Sequence, residues 1–232
     1  MSPQKICLFS LPGFLLLLCL MAAAGPARAA ELTESMRFLS ASPEFVDVTG
    51  WPALVIDLKY ATKDNFVGEN LYGPFRKAYL HREAAAKLKR AIHNLKVLAP
   101  GFRFVIFDAL RPRSVQWLLW NKVVGTPEQK YVANPSRGSV HNYGFALDLS
   151  LLDAAGREVD MGTPFDNFTR LAQPRYERHF LKTGRLTKAQ YRNRRLLKRV
   201  MHAAGFRRIS NEWWHFNALS IRVLRKNYRI VE

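Results

Sequence analysis

Phe145-Ala146-Leu147-Asp148-Leu149-Ser150-Leu151 is the stretch on which the fold turns. Phe145, Leu147, Leu149 and Leu151 point to one side of a strand, and Ala146, Asp148 and Ser150 to the other. A carboxylate inside so apolar a strand is costly unless it is paired or holds a cation. Ala146 and Ser150 flank Asp148 with small side chains and leave room for one. Ser139-Val140-His141-Asn142-Tyr143-Gly144 is the loop that enters the strand, and it can fold His141 over the same point.

Outward from this strand, helix and strand signals are mixed. Leu54 to Tyr60 reads as a strand with Leu54, Ile56, Leu58 and Tyr60 on one face. Residues 61–80 form a loop rich in Gly, Asn and aromatics, long enough to be functional or well packed. Ala84, Leu88, Ala91, Leu95 and Leu98 recur at three and four, a helix that Pro100-Gly101 ends. Phe104 to Phe107 is unalternated, as in a strand buried on both faces. It ends at Asp108, with Arg111-Pro112 just after. Ser114 to Val124 reads as a short helix, and residues 125–140 as a polar loop. A long loop then passes through Gly162-Thr163-Pro164. Thr187-x-x-Gln190 is a capping box that opens a helix with Leu197, Val200, Met201 and Ala204 on one stripe, closed by Gly205. Phe206 to Phe216 reads as extended, and residues 31–50 as irregular. No repeat or domain boundary interrupts this order, and it has no βαβ rhythm. The expectation is one compact α+β domain, a mixed or antiparallel sheet with flanking helices.

Composition bounds the answer further. The chain has 232 residues, 48% of them hydrophobic, enough for one core and short for two. At its start, Lys5 precedes an apolar run from Cys7 to Ala24, broken by Ser10, Pro12 and Gly13. Ala27-x-Ala29 then supplies a small-residue exit, so residues 1–30 read as a signal peptide cut after Ala29 or Ala30. The alternative is an uncleaved anchor, since the run is about long enough to span a bilayer; the helix breakers and the small-residue exit favour cleavage. Cys7 and Cys19 leave with the leader. The domain at 31–232 then has no disulfide, thiol nucleophile or thiolate ligand, and any metal site must use His, Asp and Glu. No second apolar stretch is long enough to span.

Lys and Arg number 36 against 18 Asp and Glu, a formal charge of +18. Such a field would suit nucleic acid in a cytosolic protein. Export, most simply to a periplasm, argues against nucleic acid and for an anionic envelope polymer or lipid headgroups. A solvated basic face with no partner is the plain alternative. The basic residues crowd Arg175 to Arg208 and Arg222 to Arg229, without the aromatic interleaving of single-strand binders.

His81, His93, His179 and His202 read as surface residues, because a lone imidazole needs a partner before it counts. His141 and His215 have partners. In Glu212-Trp213-Trp214-His215-Phe216, three aromatics give a dry wall around a Glu and a His. Burial raises a carboxylate's pKa, which suits a general base near neutral pH. Two His and one carboxylate leave the fourth position of a tetrahedral zinc open for water, and zinc lowers that water's pKa to about 7. This is not the helical H-E-x-x-H arrangement, and spacing alone leaves open which carboxylate binds metal. Arg111, constrained by Pro112, reads either as an oxyanion stabiliser or as the ion-pair partner of Asp108.

Five blocks together resemble the zinc D-alanyl-D-alanine dipeptidases, the family of the vancomycin-resistance dipeptidase. They are residues 57–66 (Asp57 to Phe66), Asp108-Ala109-Leu110-Arg111-Pro112, Ser139-x-His141-x-x-Gly144-x-Ala146-x-Asp148, residues 160–166 (Asp160 to Asp166) and Glu212-Trp213-Trp214-His215. The resemblance implies one zinc held by His141, Asp148 and His215. It implies Glu212 as catalytic base and acid, and Arg111 as stabiliser of the oxyanion. Ser139 and Asp166 look like substrate-contacting positions that hold the dipeptide's ammonium group. The fold so implied is the α+β fold shared with zinc D,D-carboxypeptidases and the hedgehog signalling domain.

The activity this implies is hydrolysis of D-Ala-D-Ala to two D-alanines. An exported enzyme would meet dipeptide released in wall turnover, so salvage is preferred to antibiotic resistance. The runner-up is a peptidoglycan carboxypeptidase or endopeptidase on wall stem peptides, decided by pocket depth and hence by the loops at 61–80 and 125–140. A zinc-stabilised binding module is a third reading, but it would need neither Glu212 nor Arg111.

Overall fold

A computed structural model describes residues 24–232. The first 23 residues of the expected leader lie outside the described residues. Residues 24–30 form the start of helix α1, Ala24–Ala41. Among the described residues, no helix is long and apolar enough to cross a membrane.

Helix α1 and strand β1, Phe45–Asp47, replace the irregular segment expected at 31–50. The helix was hard to read because its buried stripe is narrow. Leu32, Ser35 and Leu39 are buried, and Met36 packs against the core. The buried Ser35 hydroxyl donates to the main-chain oxygen of Glu232, so α1 holds the C-terminal end of the chain. Strand β1 pairs antiparallel with β3, Tyr79–His81.

The main sheet has the order β2-β4-β5-β7-β6. Its strands are β2 (Leu54–Ile56), β4 (Arg103–Asp108), β5 (Ala146–Leu152), β6 (Arg207–Arg208) and β7 (His215–Asn217). β2 and β4 are parallel, and the other pairs antiparallel, so the sheet is mixed as expected. The strand expected to reach Tyr60 stops at Ile56, and Lys59–Ala61 is a 3₁₀ turn. Phe206 to Phe216 is likewise not one extended run: β6 and β7 flank a turn.

Helix α2, Arg82–Leu98, and helix α3, Arg113–Val123, lie where periodicity puts them. Short α4, Glu177–Lys182, precedes α5, Lys188–Ala203, which carries the expected Thr187/Gln190 capping box. Helix α6, Ile221–Asn227, closes the chain. Helix α2 packs on α5 and against β4. Leu88, Ala91 and Leu95 from α2, Leu197, Val200 and Met201 from α5, and the apolar side chains of β4 and β5 form one core. Each buried Leu, Val, Ile, Phe or Met among them contributes about 1.5–3 kcal/mol by leaving water. That core is the support on which β5 can carry a buried carboxylate.

His81 is a correction. It was expected at the surface, but it is buried and stacked on Phe145 at 4.4 Å, and its Nδ1 accepts the Glu83 N–H at the start of α2. His93 and His179 are exposed as expected, and His202 is half-buried.

Candidate active site

Register builds the first part of the site. Asp108 on β4 lies opposite Asp148 on β5, and Asp148 lies opposite His215 on β7. Three polar residues thus form a row across adjacent strands. Two carboxylates facing each other are unfavourable, and a cation offsets this. The Arg111 Nη2 is 2.5 Å from Asp108 Oδ2 and 3.9 Å from Asp148 Oδ2.

His141 reaches the row from a 3₁₀ turn, Val140–Tyr143. Ser139 caps the turn: its side chain accepts the His141 N–H, and its own N–H donates to Asn142 Oδ1. Buried Asn142 donates in turn to the Arg111 carbonyl at 2.8 Å, while the Arg111 N–H donates to the His141 carbonyl. The two loops carrying Arg111 and His141 are therefore laced together. Gly144 ends the turn at φ +73°, and a Cβ there would lie 2.8 Å from the His81 nitrogen. Only glycine fits that conformation and that approach.

The imidazole tautomers follow from their outer bonds. His141 Nδ1 lies 2.7 Å from the Ala109 carbonyl, and His215 Nε2 lies 2.8 Å from Asn217 Oδ1. Both partners only accept, so both ring nitrogens donate. The remaining nitrogens, His141 Nε2 and His215 Nδ1, point at each other 3.2 Å apart. Asp148 completes the group, with Oδ1 2.9 Å from His215 Nδ1 and Oδ2 3.3 Å from His141 Nε2. One ligand atom from each of the three residues lies within 4.8 Å of the others. Burial would push Asp148 up, but the imidazoles beside it hold it well below the usual carboxylate range. Two ring nitrogens and a carboxylate gathered on one point could hold a divalent cation, and the outer hydrogen bonds are those that orient imidazole ligands.

Around this group lies a cavity of about 360 Å³. Glu212 lines it and is buried beside Trp213 and Trp214. Burial pushes its carboxyl up to about 8, with His215 pulling down and Asp148 and Asp166 adding to the rise. Arg111 lines the cavity too. The ion pair with Asp108 is present, through Nε and Nη2, and the guanidinium lies 4.8 Å from the Tyr60 ring centre. Its Nη1 donates to Gln116 Oε1 at 2.9 Å.

Asp166 adopts φ +56°, a strained value for a residue with a Cβ. Both its oxygens lie 3.1–3.2 Å from the Tyr60 hydroxyl, and burial, reinforced by Asp148, raises it well above an ordinary carboxylate. Ser139 lines the cavity as well as capping its turn. All seven residues singled out in the sequence therefore meet at one cavity. Tyr60, Asp108, Gln116 and Asn217 were missed as site residues. Tyr60 and Asp108 lay inside quoted blocks; Gln116 and Asn217 carry no local signal, since their role comes from contacts across the fold.

The two long loops do meet the cavity. Phe66, from the first, stands 4.9 Å from Phe168, and Tyr131, from the second, stacks on Phe168 at 4.7 Å. All three rings line the cavity wall.

Comparison with known proteins accords with this geometry. Residues 41–229 match the D-ala-D-ala dipeptidase family. The D-alanyl-D-alanine dipeptidase of Escherichia coli (strain K12) is 37% identical over 179 residues, 77% of this chain and 86% of that protein. The Synechocystis protein of the same name is 31% identical over 182 residues, 65% of this chain and 73% of its own. That of Enterococcus faecalis is 30% identical over 183 residues, 70% of this chain and 85% of its own. A chain matched over most of its length by this family, with its polar residues gathered at one cavity, belongs to the D-ala-D-ala dipeptidases, a family of peptidases.

Proposed function

We propose that the protein hydrolyses D-Ala-D-Ala to two D-alanines, with one zinc ion held by His141, Asp148 and His215. The observation that carries this is the pair of ring nitrogens facing each other at 3.2 Å beside the buried carboxylate of Asp148. Zinc bound there supplies Lewis acidity and an acidified water. Glu212 takes the proton of the attacking water on its carboxylate and returns it to the leaving amine. Arg111, fixed by Asp108 and Gln116, stabilises the oxyanion that forms at the amide carbonyl. Asp166, oriented by Tyr60, and Ser139 hold the substrate's polar ends. The aromatic wall of Phe66, Phe168 and Tyr131 limits the cavity to something near dipeptide size and supports the dipeptide over a long wall peptide.

The same reading makes residues 1–30 a leader removed on export to the periplasm. The enzyme then recovers D-alanine from dipeptide released in wall turnover. The exposed cations on α5, Arg192, Arg195 and Arg199, suit an anionic envelope polymer. Sequencing the N-terminus of protein recovered from the cell envelope tests export: a start at Ala30 or Glu31 supports it, and a start at Met1 opposes it.

Glu212→Ala tests the chemistry. Turnover should fall by about 10²–10⁴ or more, while zinc content stays at one per chain. Near-normal rates in that variant would remove Glu212 from the mechanism.

A further inference from the structure

A second groove, of about 610 Å³, adjoins the catalytic cavity and shares Lys130, Tyr131, Phe168 and Asn211 with it. Arg170 and Arg175 join Lys130 as its cations. No carboxylate pairs with any of the three among the described residues; Glu177, close by in sequence, is taken by Arg208 and Arg194.

Neutral groups hold these cations instead. Lys130 Nζ lies 5.2 Å from the Tyr131 ring centre, and the Arg170 and Arg175 guanidinium groups lie 5.3 and 5.1 Å from that of Tyr176. Arg175 also donates twice to Gln173 Oε1, at 2.9 and 2.7 Å. Gln173 is 3% exposed and committed on its other side, donating to the Tyr131 hydroxyl at 3.0 Å. That hydroxyl donates to the Phe168 carbonyl at 2.8 Å. The buried amide thus ties the guanidinium of Arg175 to the two aromatic residues that groove and cavity share. These partners orient the charges without neutralising them. Three like charges around one groove repel, and an anion bound between them relieves that.

We propose that this groove is a subsite for a second carboxylate on the substrate, so that the enzyme prefers acidic peptides to their neutral amide isosteres. The inference rests on the peptidase reading above. D-Ala-D-Ala has one carboxylate, whereas the groove offers fork-shaped donors for another. The occupant is a part of the peptide itself, because groove and cavity share four lining residues.

The test compares kcat/KM of the zinc-loaded protein on D-Ala-D-Glu against D-Ala-D-Gln, and on D-Glu-D-Ala against D-Gln-D-Ala. D-Ala-D-Ala is the reference substrate. The acid-to-amide ratio should be about threefold to tenfold in at least one pair, the worth of one or two partly exposed charge pairs. It should fall to about one in Arg170→Gln/Arg175→Gln and invert in Arg170→Glu/Arg175→Glu. A ratio of one in both wild-type pairs overturns the subsite, as does a preference that persists in both double variants. With D-Ala-D-Ala still cleaved, either result leaves the peptidase reading standing. Failure to cleave every peptide, D-Ala-D-Ala included, overturns both.

Discussion

The proton on one edge of an imidazole decides what the other edge can do. The Ala109 carbonyl fixes the proton of His141 on Nδ1, and Asn217 fixes that of His215 on Nε2. Each ring thereby turns its other nitrogen to the point that Asp148 also reaches. Asn217→Ala removes one of these anchors without touching a ligand. Zinc affinity should drop about 10–100-fold, read by competition with a chelating dye. An unchanged affinity would mean that Asn217 does not orient the ring. At this scale much of the site was legible. A carboxylate in an apolar strand and a His in an aromatic wall are both costly, and cost marks function. What could not be read was support. Gln116 and Asn217 look like ordinary amides until the fold puts Arg111 and His215 against them.

Elements carry the site through register and turns. The β4–β5–β7 register sets Asp108, Asp148 and His215 in a row, and no local pattern announces a cross-strand pair. The turn that presents His141 depends on Gly144. Gly144→Ala would force a Cβ into a left-handed backbone and against the His81 nitrogen. The change should cost about 1–3 kcal/mol of stability for the strained backbone alone, with weaker metal binding because His141 rides on that turn. Urea unfolding checks the first effect and metal titration the second; wild-type stability would contradict the assigned strain. Periodicity gave α2, α3 and α5 within a residue or two, since each buries a repeating stripe. It failed for α1, which buries a narrow one. It also ran past the end of β2, because Leu58 and Tyr60 stay buried after the strand has turned into a 3₁₀ segment. That departure is useful, since it is the turn that brings Tyr60 to Asp166.

Across the described residues, one core supports the candidate site, and the charge is strongly of one sign. Residues 31–232 carry a formal +16, 34 Lys and Arg against 18 Asp and Glu, a field that favours anions at long range and that salt screens. On the proposed reading, the aromatic wall and the small cavity limit substrate size, and the neighbouring cationic groove biases which small peptides are taken. On the same reading, His141, Asp148 and His215 hold the ion on which hydrolysis depends. The most direct measurement strips the protein with a chelator, returns zinc in known amounts, and follows D-alanine release from D-Ala-D-Ala alongside bound metal. Activity should vanish on stripping and return in proportion to zinc up to one ion per chain, with His141→Ala/His215→Ala showing neither binding nor turnover. D-alanine release that survives removal of all metal, or that persists in the double variant, would contradict the account.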